Sequence, residues 1–172
     1  MNATRDAGHG ARLLKIWRRL EGRPGGRWLF SRMVGRTAPY SGTIGARVEA
    51  LGPGRAVLTL RDRRSVRNHL RSVHAIALAN LGELASGLAA TGAMPAGVRG
   101  IPVRITIDYH RKARGTLTAV GTAEIPQVTG PTRVDVRAVI QNDAGEPVAT
   151  VTVEWALEPV ARGAGSSGDG PA

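Results

Sequence analysis

The chain has 172 residues and no cysteine among them. Disulfides, thiolate nucleophiles and zinc–thiolate sites are therefore excluded, and because this fits a reducing compartment we expect a cytoplasmic location. Residues 1–10 lack the apolar segment of a secretory signal, and no run of about 18 apolar residues predicts a membrane span. The three Trp, two Tyr and single Phe are too few for the usual base-stacking platform, so no specific nucleic-acid partner is expected.

Positive charge is abundant and unevenly placed. The formal net charge is +11, and residues 1–36 carry nine Lys and Arg against two acids, whereas the rest of the chain carries fifteen against eleven. A basic arm of this kind can contact an anionic partner, and one hypothesis is weak contact with a membrane surface. The alternative hypothesis is a solvated surface in a chain of Arg-rich composition.

Composition divides the chain into three predicted segments. Residues 1–36 form the basic arm, in which apolar residues at helical spacing predict short helices at 11–21 and 28–34. Residues 37–160 form the domain proper. Residues 161–172 read ARGAGSSGDGPA, which offers nothing to bury and predicts a disordered tail.

The domain proper changes from period-two alternation to a helical pattern and back. A hairpin over residues 44–60 precedes one long helix, Val73 to Met94, and four strand-like runs follow it. A six-stranded antiparallel sheet with one helix is an α+β arrangement, and the sheet must curl around the helix to bury it. The order therefore predicts the hotdog fold, with an N-terminal helical arm. The four later strands are predicted at residues 103–109, 117–125, 133–138 and 148–157.

The long helix contains a single charged residue, Glu83. On a helical wheel one face carries leucines and the opposite face carries small residues together with Glu83. The leucine face is expected to dock on the sheet, and the small-residue face suggests close approach of a two-fold partner. If buried and unpaired, Glu83 has a raised pKa and suits general-base catalysis near neutral pH. The alternative is a carboxylate paired with Arg or solvated at a rim.

The start of the same helix is the second candidate feature. Ser72 is predicted as its N-cap, and the free N–H groups around Ala75 and Ile76 can polarise a thioester carbonyl as an oxyanion hole. Glu83 lies eight residues beyond Ala75, roughly 12 Å along the helix at ~1.5 Å per residue. A base and an oxyanion hole that act on one carbonyl must converge, so the site is expected to be shared between two antiparallel copies of this helix.

The residues Asn68, His74 and Glu83 resemble the motif of hotdog thioesterases of the phenylacetate-pathway type. In that pattern a His follows the Asn by six residues and an acid follows the His by nine, as here. The stretches NHLRSVHAIALANLGELASGL and IPVRITIDYHRKARGTLTA are also similar to an uncharacterised hotdog family related to those thioesterases. In two departures, Ala75-Ile76 replaces a Gly-Gly pair and Glu83 replaces an Asp.

The resemblance implies roles for these positions. Glu83 would activate water or attack the thioester, Asn68 would orient the water or substrate, and His74 would position the carbonyl. The N–H of Ala75 or Ile76 would form the oxyanion hole. We expect a homodimer or a dimer of dimers, because the site is predicted to be shared, and no cofactor.

A basic cluster follows the third strand. The side chains of Arg111, Lys112 and Arg114 could bind the phosphates of coenzyme A, or they could be solvated at a strand end. The four histidines have no metal-ligand spacing, so no metal site is expected. The sequence thus favours an acyl thioesterase acting on an acyl-CoA or acyl-carrier thioester. The alternative is a non-catalytic acyl-CoA or lipid-binding module.

Overall fold

A computed structural model describes residues 8–160, and both the predicted tail at 161–172 and residues 1–7 lie outside that range. One long helix lies against a six-stranded antiparallel sheet, so the predicted hotdog architecture is confirmed. The sheet order is β1-β2-β4-β5-β6-β3. The helices are α1 (His9–Leu20), α2 (Gly26–Thr37), α3 (Pro39–Gly42) and α4 (Ala75–Ala93), and the strands are β1 (Arg47–Gly52), β2 (Arg55–Leu60), β3 (Val98–Tyr109), β4 (Leu117–Thr122), β5 (Thr132–Gln141) and β6 (Pro147–Pro159).

The concave face of the sheet is built from residues that are paired in register. Leu58 pairs with Ala119, Ala119 with Ile140, and Ile140 with Ala149, and all four side chains are fully buried. Their alternation along each strand places them on one face, which the leucine-rich side of α4 covers. Burial of each large apolar side chain contributes about 1.5–3 kcal/mol to this layer.

The α4 helix lies unusually close to the sheet because glycines stand at the contact. A Cβ added at Gly82 of the helix would lie 2.6 Å from the Cβ of Val151 on β6. A Cβ added at Gly121 of β4 would lie 2.9 Å from the backbone nitrogen of Ser86. Both distances are well inside the ordinary carbon contact of about 3.5–4.0 Å, so these two glycines set the height of α4 above the sheet.

The two edges of the sheet differ, because one is covered by a helix and the other is exposed. At one edge α2 covers β1, where the backbone N–H of Val48 donates to Ser31 Oγ at 2.9 Å. At the other edge β3 carries a bulge between Pro102 and Arg104 and exposes apolar side chains that include Ile101 and Ile105. An exposed apolar edge strand is a ready pairing surface for another chain.

The basic arm is packed against the domain. Trp17 of α1 and Phe30 of α2 meet edge to face with ring centroids 5.0 Å apart, and both are almost fully buried. Gly10 of α1 approaches the backbone of Thr91 on α4. The predicted boundary between residues 36 and 37 falls inside α2. Within residues 8–160 no helix is long and apolar enough to cross a membrane.

Candidate functional site

Only a narrow strip along α4 stays accessible to solvent, and we call it the open stripe. Leu78, Leu81 and Leu88 face the sheet and are buried. The predicted small-residue face is only partly open, because Asn80, Ser86 and Ala90 are buried by other elements of the same chain. The chain itself therefore covers part of this face, for example where Asn80 contacts Tyr40 of α3, and the two-fold partner stays a prediction. The residues that stay accessible on the stripe are Ile76, which is exposed, and Ala79, Glu83 and Gly87, which are partly exposed.

Glu83 lies in the middle of the open stripe and is half-buried. Burial raises the pKa of its carboxyl above the usual range, and a hydrogen bond from the Ser41 side chain acts in the opposite direction. No ion pair with Glu83 is formed within residues 8–160, which removes the alternative of pairing with Arg inside the described chain. A partly exposed carboxyl with a raised pKa is suited to proton transfer near neutral pH.

Asn80 is a neighbour of Glu83 that the sequence did not single out. It is three residues earlier on α4, only 8% exposed, and its Nδ2 donates to the carbonyl of Tyr40 at a long 3.4 Å. Its Oδ1 has no hydrogen-bond partner in the described chain. Because residues three apart share a helix face, the spacing to Glu83 was the available signal. Ser41 gave no such signal, since only the tertiary fold brings α3 to α4.

The N-terminus of α4 differs from the prediction at its cap. The N-cap is His74, whose Nδ1 accepts a hydrogen bond from the N–H of Ile76 at 3.1 Å. Ser72 is not the cap because its hydroxyl is directed to Asn68 Oδ1 at 3.3 Å, and its own N–H binds the same oxygen. The Ala75 N–H donates no hydrogen bond in the described chain, so it remains available to an acceptor.

Asn68 lies beside this cap but its carbonyl oxygen is already used. Oδ1 accepts from the N–H of Leu70 at 2.9 Å and from the N–H of Ser72 at 3.2 Å, which fixes the loop that leads into the helix. Within residues 8–160 its Nδ2 makes no hydrogen bond. Asn68 therefore has one role in the loop and one free donor group.

The segment after β3 is tied to the same helix end. Tyr109 donates its hydroxyl proton to the carbonyl of Ala75 at 3.1 Å, and the N–H of Val73 donates to the carbonyl of Ala113 at 2.8 Å. These contacts bring the predicted basic cluster next to the helix N-terminus. Its members Arg111, Lys112 and Arg114 are all exposed.

The three basic side chains are not equally free. Arg111 forms an ion pair with Glu146, and the hydrogen bond from Asn142, followed by that from Arg111, holds the pKa of Glu146 below its usual range. Lys112 forms no ion pair within the described residues. Arg114 lies close enough to Asp62 to lower its pKa, although the hydrogen bond from Arg67 lowers it more.

Glu83 and the helix N-terminus do not meet within the chain. Both belong to one helix, with Ala75 at its first position and Glu83 eight residues later, roughly 12 Å along the axis. The N-terminal group of Asn68, His74, Ala75 and Ile76 is brought together by the fold, but Glu83 stands apart from it. One chain thus supplies two half-sites at different places on α4.

A groove runs between the arm and the sheet and reaches α4 at Leu84, the residue after Glu83. It has a volume of about 1330 Å³ and is bounded by α2, α3, β1 and the loop that follows β2. Leu84 lies in its wall with Val34 and Val48. Polar and charged residues of α2, β1 and the loop after β2 line it as well, among them Arg32, Arg61 and Arg63. Within residues 8–160 no group of three potential ligands could hold a metal ion.

Known proteins share this architecture. The model of the domain of unknown function DUF4442 matches residues 26–157. The structural-genomics target APC5556 is 34% identical, and the match covers 87% of this chain and 100% of that one with a TM-score of 0.75. No curated protein matches the chain.

Two more distant structures have the same fold. A protein of Pseudomonas aeruginosa described as a probable thioesterase, PA5026, is 22% identical over 75% of this chain and 93% of that one, with a TM-score of 0.68. A hypothetical thioesterase from Streptococcus pneumoniae, solved with coenzyme A, is 21% identical over 73% of this chain and 98% of that one, with a TM-score of 0.61. The chain therefore belongs to the DUF4442 family and shares its fold with these structures.

Proposed function

We propose that this protein is an acyl thioesterase that hydrolyses an acyl-CoA or acyl-carrier thioester. The observation that carries the proposal is Glu83, a half-buried carboxyl with a raised pKa on the open stripe of α4. The fold supports the reaction class, and a similar protein was solved with coenzyme A. In this role Glu83 takes a proton from water, which attacks the thioester carbon, or attacks that carbon itself.

The site is completed by a second copy of the chain. A base must lie within hydrogen-bond reach of the reacting atoms, and about 12 Å separates Glu83 from the N-terminus of its own helix. An antiparallel α4 from a partner would bring that N-terminus to Glu83. The exposed apolar edge strand β3 and the open stripe of α4 supply a surface for such a homodimer, or for a dimer of dimers.

The partner's helix N-terminus supplies the oxyanion hole in this arrangement. Ala75 is the better donor, because its N–H is free whereas the N–H of Ile76 is bound by His74. The free Nδ2 of Asn68 can orient the substrate, and His74 holds the helix end in place. The phosphates of coenzyme A would contact Lys112 and Arg114, with Arg111 contributing when it leaves Glu146.

The acyl chain of the substrate would lie in the groove beside Leu84. Leu84, next to Glu83, forms an apolar part of its wall with Val34 and Val48, and Arg61 and Arg63 also line it. A cytoplasmic location remains a prediction of the sequence.

The catalytic proposal is tested by thiol release from a panel of acyl-CoA chain lengths. We expect Glu83→Gln to lower kcat by on the order of 10²–10⁴-fold, since it removes the base and keeps the shape. Glu124→Gln, the same change at an exposed position, is the control and should retain activity. Equal turnover by wild type and Glu83→Gln on every substrate would exclude this mechanism.

The oxyanion donor has an equally clean variant. Ala75 is the first residue of α4, where proline is tolerated, and His74 at φ −64° and ψ 142° has the backbone conformation that precedes proline. Ala75→Pro therefore removes one N–H without breaking the helix. A loss of about 10²–10³-fold in kcat with unchanged unfolding is expected.

Mixed dimers then test whether the site is shared. In a heterodimer of Glu83→Gln and Ala75→Pro, one of the two shared sites is intact, so about half of the wild-type activity should return. If each subunit holds a complete site, both sites carry a defect and no activity returns.

The second candidate is a non-catalytic acyl-CoA or lipid-binding module. The observation that favours it is Ala75-Ile76 in place of the Gly-Gly pair, with the Ile76 N–H occupied by His74. Saturable acyl-CoA binding without thiol release, unaffected by Glu83→Gln, would support the module and exclude the enzyme.

A further inference from the structure

The outer surface of α2 exposes two large apolar side chains at adjacent positions. Trp28 is 58% exposed and Leu29 is 49% exposed. Leu29 also borders a shallow hollow of about 430 Å³ with Leu20 at the end of α1 and Met33 one turn further along α2. We call Leu20, Trp28, Leu29 and Met33 the arm patch. The fold does not need this surface, because the buried contacts of the arm are made by Trp17 and Phe30.

The arm patch lies on a segment of strongly positive charge. Residues 8–37 contain eight Lys and Arg, and Glu21 is their single acid. Arg32 stacks over Trp28 at 5.3 Å from the ring centroid, and Arg36 borders the same hollow as Leu29. Arg27 is paired with Glu49, whereas Arg19 and Arg23 are exposed and form no ion pair within the described residues.

We propose that the arm patch docks on the surface of an anionic lipid bilayer. Apolar and Trp side chains that project from a basic helix are the features by which helices lie in the plane of a membrane interface. Trp28 and Leu29 enter the headgroup layer while arginine side chains remain with the lipid phosphates. The docking does not depend on the thioesterase proposal, although Trp28 and Arg32 also border the groove beside Leu84.

Charge and exposed apolar side chains together favour a bilayer over other partners of the arm patch. A second copy of the chain would bring like charges together, which disfavours a self-contact at this site. A polyanion such as nucleic acid fits the charge but gives no reason for both Trp28 and Leu29 to be exposed. The bilayer alone uses both the charge and the apolar side chains.

The fluorescence of Trp28 can report whether the arm patch enters a bilayer. Trp17 is 1% exposed and Trp155 is 8% exposed, so Trp28 is the tryptophan of the three that a bilayer can reach. The full chain is mixed with vesicles of phosphatidylcholine alone or with about one-third phosphatidylglycerol, and co-sedimentation and Trp emission are measured. We expect binding to the anionic vesicles, a blue shift of the emission and quenching by brominated acyl chains.

Two matched pairs of variants test the two components. Trp28→Ala/Leu29→Ser should reduce vesicle affinity at least tenfold and abolish the blue shift, and because both side chains are exposed, thermal unfolding should not change. Arg19→Glu/Arg23→Glu should also reduce affinity, by about fivefold for each cation removed. Arg55→Glu/Arg137→Glu makes the same charge change on exposed residues of the sheet, and its vesicle binding should stay within about twofold of wild type.

The proposal is overturned by any of three results. Equal binding to neutral and anionic vesicles would remove the role of charge. An equal loss in the sheet variant would reduce the effect to net charge. Vesicle binding by Trp28→Ala/Leu29→Ser as strong as wild type, together with tight binding of a DNA duplex, would identify a polyanion site instead.

Discussion

Replacing Gly82 by alanine tests how closely α4 sits on the sheet. In a helix interior Gly→Ala ordinarily stabilises by about 1 kcal/mol, because alanine loses less backbone entropy. At Gly82 the new methyl group would lie 2.6 Å from the Cβ of Val151, an atom held in place by the strand backbone. Overpacking of this kind costs about 1–3 kcal/mol or more, and the rigid neighbour places Gly82 at the upper end. We therefore expect a net loss of about 1–2 kcal/mol.

Gly87 on the same helix is the matched control. A Cβ there would lie 3.8 Å from Glu83 Oε1 and 3.9 Å from Trp155 Cζ2, which are ordinary contacts. Gly87→Ala should consequently gain about 0.5–1 kcal/mol, so the same substitution has opposite signs at positions five residues apart. In a chain of this length each kcal/mol shifts Tm by about 2–4 °C.

The assay is urea unfolding followed by circular dichroism at several protein concentrations, which separates folding from any change in assembly. Because Gly82 directly precedes Glu83, lifting α4 from the sheet should also lower thioesterase activity. A Gly82→Ala variant as stable as the Gly87→Ala variant would refute the close approach of helix and sheet.

Three further predictions follow from the site. The pKa of Glu83 is raised, so its ionised carboxylate destabilises the folded state at high pH. Glu83→Gln should therefore gain more stability at about pH 8 than at about pH 4, by about 1.4 kcal/mol per unit of pKa shift. Equal gains at both pH values in urea unfolding would contradict this. The Arg67 hydrogen bond at 2.6 Å lowers the pKa of Asp62, so the carboxylate of Asp62 stabilises the fold above its unfolded pKa. Asp62→Asn should lower the free energy of unfolding by about 1 kcal/mol at neutral pH. In the same assay this loss should vanish as the pH falls through the folded pKa of Asp62. Leu84→Trp narrows the groove and should move the acyl-CoA preference toward shorter chains by at least about tenfold in kcat/KM; an unchanged chain-length profile would separate the groove from the substrate.

Local patterns predicted most of the fold. Period-two alternation marked the strands, and the long apolar run marked α4 to within two residues at its start and one at its end. Glu83 stood out because it is the single charge on that helix, and its raised pKa agrees with the expected burial. The four-residue helix α3 was missed, since so short an element has no periodicity, and with it the neighbours Ser41 and Tyr40 were missed.

The N-cap shows the limit of local patterns most clearly. Ser72 has the side chain that caps helices most often, yet its hydroxyl binds Asn68, and His74 caps the helix instead. Which of two nearby side chains reaches the first free N–H depends on the path of the loop, and contacts with Ala113 and Asn68 set that path.

The sequence by itself determined the elements, the class of fold and the lone carboxylate on the central helix, because these depend on spacing along the chain. Only the tertiary structure decided which parts of α4 stay open, that Asn80, Ser86 and Ala90 of its small-residue face are buried, and that Ile76 has lost its free N–H while Ala75 keeps one. It also decided that Trp17 and Phe30 point inward and Trp28 and Leu29 outward. The reason is physical: burial and hydrogen-bond partners come from residues distant in sequence, and periodicity does not contain them.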